Sequence, residues 1–250
     1  HLGHSFPTRR SSDLIFMINF LAEMFGTMIL IYLGDGVVAN VVLKKTKGSN
    51  SGWMVITTGW AFAVVIPAFI FGATSGAHFN PALTLALASI GDFPWSQVPM
   101  YITAQMIGAF LGSVLVFIQY YNHFEETDDK DGKLGVFCTG PAIRNGLFNF
   151  ISEFLGTFFL VFGILGINAV KMANGLNTLA VGLLIWALGL SSGGTTGYAI
   201  NPARDLGPRI AHAILPVPGK RDADWKYAWI PVVAPILGAI AGALVFVTIF

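Results

Sequence analysis

The triplet Asn-Pro-Ala occurs twice, at Asn80-Pro81-Ala82 and Asn201-Pro202-Ala203, each time beside strongly apolar sequence. Asparagine is a favoured helix N-cap and proline a favoured first helical residue, so each triplet reads as a helix start. A helix start leaves backbone N–H groups without intrahelical partners, and lipid offers nothing to satisfy them. Two such starts in membrane-grade sequence make sense when they face each other around a wet path. Composition fixes the setting: 54% of the 250 residues are hydrophobic and 11% are charged, against about a quarter charged in a soluble domain. A formal net charge of +1 gives no case for a nucleic-acid partner. Cys138 is the only cysteine, which excludes disulfide frameworks and cysteine-rich metal sites.

Six apolar stretches are long enough to span a bilayer: about Ile15–Val42, Met54–Phe71, Val98–Gln119, Leu147–Val170, Thr178–Ser192 and Ala228–Phe250. Asn80–Ile90 and Asn201–Ile214 are apolar and helix-compatible but too short, and read as half-helices. The polar stretch Tyr121–Asn145 reads as a solvated loop joining two halves. The halves resemble each other: Ala22-Glu23-Met24-Phe25-Gly26-Thr27 matches Ser152-Glu153-Phe154-Leu155-Gly156-Thr157, and Ser75–Ala82 matches Thr196–Ala203. Three spans per half is an odd number, so the second half enters from the opposite side, as an inverted repeat. The expectation is an all-α membrane protein with six transmembrane helices and two re-entrant half-helices. Repeat one covers about 15–119, repeat two 147–250, and the linker 120–146. Residues 1–14, with the polar string SFPTRRSSDL, read as a non-native leader resembling a translated sequencing adapter. The end at Phe250, inside an apolar run, reads as short of the natural C-terminus. Lys44, Lys45, Lys47, Lys220, Arg221 and Lys226 fall outside if both termini are cytoplasmic, so charge alone assigns no orientation.

The twin Asn-Pro-Ala half-helices, the Ala/Ser-Glu-x-x-Gly-Thr repeat and the string Ser-Gly-Ala-His-x-Asn-Pro-Ala resemble the major intrinsic protein family, the aquaporins and glycerol facilitators. The likeness covers essentially Ile15 to Phe250. An N-cap asparagine accepts a backbone N–H with its side-chain oxygen, from Ala82 or Leu83 for Asn80 and from Ala203 or Arg204 for Asn201. Each amide NH2 is then free to donate into the path. An arginine at the depth of Arg204 is costly in lipid and functional by default, and the resemblance places it at the outer constriction. It also implies the other walls: Trp60, twenty residues before Asn80, where glycerol facilitators carry Trp; Gly189, twelve before Asn201, where the absence of a side chain widens the bore; and Tyr198, three before Asn201, where the best-known glycerol facilitators have Phe. Tyr120, Asp205, Arg209, Pro235 and Ile236 also resemble the glycerol branch, and Asp205 and Arg209 stand i, i+4 and able to pair.

Glu23 and Glu153 read as the only acids well inside the spans. One reading makes them a proton relay in a coupled transporter. The other has each carboxylate accept N–H bonds from the loop leading to a half-helix. His78 has no other ligand at metal spacing, so it reads as a vestibule or packed loop residue, and no metal or cofactor is expected. His1, His4, His123 and His212 make no site. Taken together, the expectation is a non-enzymatic, passive, multi-pass cell-membrane channel for glycerol and similar small neutral solutes, with some water flux and with ions and protons excluded. The family resemblance implies a homotetramer in lipid. A water-selective, urea- or lactic-acid-conducting member, an ion-coupled transporter and a non-conducting structural protein remain the alternatives.

Overall fold

The computed structural model describes residues 9–250, as ten α-helices. They are α1 (Arg9–Val42), α2 (Trp53–Ser75), α3 (Pro81–Ser89), α4 (Val98–Gln119), α5 (Tyr121–Glu126), α6 (Lys130–Phe137), α7 (Gly146–Ala169), α8 (Leu176–Thr196), α9 (Pro202–Ile214) and α10 (Ile230–Ile249). Six of them, α1, α2, α4, α7, α8 and α10, are long and apolar enough to cross a membrane. Helices α3 and α9 have 9 and 13 residues and at 1.5 Å per residue reach about 14 and 20 Å, short of a hydrocarbon core of about 30 Å. Residues 9–14 of the segment read as a leader continue α1, and residues 1–8 lie outside the described part.

The two halves interlock. Helix α1 packs on α2 and α4, and α7 packs on α8 and α10, but each half-helix docks on the other repeat: α3 on α10 and α9 on α4. Glycine sets the closest crossings. A Cβ at Gly108 would collide with the carbonyl oxygen of Met24, and one at Gly112 would sit 2.6 Å from that of Met28. The second repeat repeats the device, with Gly238 against the carbonyl of Phe154 and Gly242 against that of Phe158. Because lipid supplies no hydrophobic drive between helices, such close backbone approach carries the packing. Exposed apolar side chains cover the outside, including Phe62, Ile66, Phe69 and Ile70 on α2 and Leu183 on α8.

The linker corrects one expectation. Instead of a purely solvated loop it forms α5 and α6 and turns inward, burying Phe124, Lys133, Leu134, Phe137, Cys138 and Thr139. The Phe124 and Phe137 rings stack 5.6 Å apart, and Phe137 meets His212 of α9. The acidic residues that make the stretch look solvated, Asp128, Asp129 and Asp131, are exposed, while the apolar residues on either side of them, Phe124, Val136 and Phe137, reach the core.

Candidate functional site

The half-helices start nose to nose. Asn80 caps α3 by accepting from the Ala82 N–H at 2.9 Å, and Asn201 caps α9 by accepting from Ala203 and Arg204 at 3.0 and 3.2 Å. Each amide nitrogen then crosses to the other repeat: Asn80 Nδ2 donates to the Ile200 carbonyl and Asn201 Nδ2 to the Phe79 carbonyl, both at 2.8 Å. One hydrogen of each NH2 is therefore used to tie the repeats together. The second is left for whatever passes. Both side chains line one cavity of about 390 Å³.

The loops entering the half-helices are held open by the two glutamates. Glu23 accepts the N–H groups of His78 and Phe79 at 3.0 and 2.8 Å, the Ser75 hydroxyl at 2.6 Å and Gln105 Nε2 at 2.8 Å. Glu153 accepts the N–H groups of Ala199 and Ile200, both at 2.9 Å. A trans peptide sends its C=O opposite to its N–H, so these bonds turn the carbonyls of Ala77, His78, Tyr198 and Ala199 away from the glutamates. All four of those residues line the cavity. The geometry needs left-handed backbone at Ala77, Phe79, Tyr198 and Ile200, with φ of 52°, 47°, 38° and 43°, a conformation that costs non-glycine residues on the order of 1–3 kcal/mol each. The carboxylates offset that strain. The Glu-x-x-Gly-Thr pattern has a structural reading here, since Gly26 makes room for the Phe79 ring and Thr27 and Thr157 bond back to the Glu23 and Glu153 carbonyls at 2.7 Å. Glu153→Ala is expected to destabilise the protein by about 2–5 kcal/mol, because two buried N–H groups lose their acceptor. Thermal unfolding in detergent checks this.

Trp60, Tyr198 and Arg204 line the large cavity and also a second one of about 210 Å³. They are the wall where the two spaces meet. The Arg204 guanidinium lies over the Trp60 ring, 4.0 Å from its centroid, and one N–H donates to the Phe137 carbonyl at 3.3 Å. That is its only side-chain hydrogen bond among the described residues, out of the five N–H groups a guanidinium carries. Tyr198 meets Trp53 edge-on with ring centroids 5.9 Å apart, and its buried hydroxyl has no partner among the described residues. The large cavity is mixed in chemistry. Asn80, Asn201, Arg204 and the loop carbonyls supply polar groups, while Leu30, Val64, Ala68, Leu160, Ile164 and Ile185 supply apolar wall.

Other sequence-predicted residues lie elsewhere. Gly189 stands behind Tyr198: a Cβ there would lie 2.9 Å from the Tyr198 Cζ and hydroxyl oxygen, so the missing side chain gives that ring its seat. Asp205 and Arg209 pair at 2.8 Å and form a clamp. Asp205 accepts the N–H and hydroxyl of Thr139, and Arg209 donates to the carbonyls of Ala223 and Thr139. Pro235 and Ile236 sit on α10, with Ile236 packed against the buried cluster that joins α3, α7 and α10. Tyr120 ends α4 and packs on the core. Pro81, Ala82, Pro202 and Ala203 are buried in the first turns of α3 and α9. His78 lines the cavity beside Phe93 and Tyr101, with Nδ1 3.1 Å from the Thr84 hydroxyl.

A second correction concerns the acids. Asp35, inside α1 and fully buried, is a third acid within a span, and it stands 3.6 Å from Arg204. Its position in an apolar run of the first span was the available sign. The Phe137 carbonyl and Thr139 were also missed, because only the folded linker brings them to α9.

The comparisons with known proteins agree with this geometry. The family model described as major intrinsic protein matches residues 10–246. The chain belongs to the major intrinsic protein family. A protein of Thermotoga maritima named a probable glycerol uptake facilitator is 61% identical over 231 residues, covering 92% of this chain and 99% of its own length. The glycerol uptake facilitator of Bacillus subtilis is 57% identical, covering 92% and 84%. Among solved structures, the aquaglyceroporin from Plasmodium falciparum superposes with a TM-score of 0.82 at 30% identity, covering 92% of this chain and 95% of that one. Family membership accounts for the six membrane helices and the two half-helices together.

Proposed function

We propose that this chain is a passive, non-enzymatic channel of the cell membrane for glycerol and similarly small uncharged polyols, with some water passing and with ions and protons excluded. The observation that carries the reading is the wall shared by the two cavities. Trp60 and Tyr198 offer aromatic wall to C–H groups, and Arg204 keeps most of its N–H donors free for hydroxyls. The Asn80 and Asn201 amides and the loop residues add polar groups to the same cavity, whose remaining lining is largely apolar. A polyol has both kinds of surface itself, with hydroxyls along one edge and carbon along the other. The names of the Thermotoga and Bacillus relatives support glycerol as first solute.

The starts of α3 and α9 place two positive partial charges where the half-helices meet, which opposes cations and protons. A proton relay through Glu23 and Glu153 finds no support: neither lines a cavity, and both oxygens of each already accept hydrogen bonds. A homotetramer with one pore per subunit belongs to the same proposal and fits the wide apolar exterior. Stopped-flow light scattering on proteoliposomes, comparing glycerol, water, urea and protonated lactic acid, tests the solute. Glycerol is expected to gain most over bare lipid. A gain for water alone would make the chain a water-selective member, and a larger gain for urea or lactic acid would move the assignment to that solute.

A further inference from the structure

Arg204 is buried, and a buried guanidinium needs compensation. Three acids near the half-helices are already committed. Glu23 and Glu153 hold the loops, and Asp205 is taken by Arg209 and Thr139. Asp35 is different. Its Oδ2 accepts the Ser113 hydroxyl at 2.8 Å, while Oδ1 has no hydrogen-bond partner among the described residues and lies 3.6 Å from Arg204 Nη1. A shift of under about 1 Å would bring that pair to charge-assisted hydrogen-bond distance. The direction of the pull is also set. Arg204 lines both cavities, whereas Asp35 lines neither and is fully buried, so the acid lies behind the wall and draws the guanidinium out of the bore.

We propose that Asp35, steadied by Ser113, is the counter-ion of Arg204 and a positioning residue for the constriction, holding the guanidinium back so that a solute wider than water can pass. This rests on reading Trp60, Tyr198 and Arg204 as the constriction of a glycerol channel. Without the negative charge, nothing draws the guanidinium back from its place over the Trp60 ring, it is free to move further into the slot, and its own charge stands uncompensated. Glycerol then loses more than water, because water needs less width.

The test compares glycerol and water permeability of the purified full chain in the same vesicles. Asp35→Asn is expected to lower the glycerol-to-water ratio about tenfold, the scale of one charge-assisted hydrogen bond, and Asp35→Glu to recover part of it. A merely structural role would reduce both fluxes together with the amount of folded protein, so an unchanged ratio overturns the proposal. Should neither single variant accumulate, stability decides. Arg204→Ala strands a buried acid, and adding Asp35→Asn to it is expected to raise the melting temperature. No gain in the double variant also overturns the proposal. Wild-type glycerol flux no faster than through bare lipid would instead sink the glycerol reading, and the stability comparison would still decide the role of Asp35.

Discussion

Gly189→Leu is expected to cut glycerol permeability about tenfold or more, the equivalent of at least roughly 1.4 kcal/mol on the barrier, although Gly189 touches neither cavity. The reason is the seat it provides. A Cβ there would stand 2.9 Å from the Tyr198 ring and hydroxyl and 3.0 Å from Thr57 Cγ2. The α8 backbone has little freedom to retreat, since the Gly189 carbonyl accepts Trp53 Nε1 at 3.0 Å. Tyr198 is the neighbour that yields, and the open side is the one shared with Trp60 and Arg204. Adding Tyr198→Ala removes the displaced ring and is expected to restore much of the flux. Unchanged flux in Gly189→Leu would mean that the position of Tyr198 does not set the bore.

The largest expected effect on folding is at the glycine crossings. Gly238→Leu should leave little folded protein, because the new Cβ collides with the Phe154 carbonyl, part of a helix backbone that cannot turn aside. Forcing α7 and α10 apart costs about 3 kcal/mol or more and also loosens α3, which docks on α10. Gly108→Leu should behave alike, through Met24 on α1. Gly194→Leu is the control: a Cβ at Gly194 meets nothing within 4 Å, and normal yield is expected. Size-exclusion profiles of detergent extracts distinguish the outcomes. Monodisperse Gly238→Leu protein at normal yield would show that the crossing tolerates separation.

The sequence announced the architecture because each of its main parts is local. A capping asparagine before proline starts a helix wherever it stands, and apolar length sets whether that helix spans. The inverted repeat followed from two copies of short patterns. What stayed hidden depends on contacts between distant segments. That each Asn amide donates to the opposite loop is a property of the assembled pair. The missing side chain of Gly189 was legible, but not that the Tyr198 ring takes the space it leaves. The linker looked solvated because its acids were easier to see than Phe124 and Phe137 on either side of them. Asp35 carried a sign of its own, a carboxylate in an apolar run, but its partner Arg204 is far along the chain, and the two meet only because α1 and α9 both pack on α4.

The measurement that bears most directly on the whole account is glycerol flux through the purified chain in sealed vesicles, recorded with and without an imposed proton or sodium gradient. The account predicts flux well above bare lipid, unchanged by either gradient and without acidification of the lumen. Flux no faster than bare lipid, or uptake that collapses when the ion gradient is removed, would contradict it.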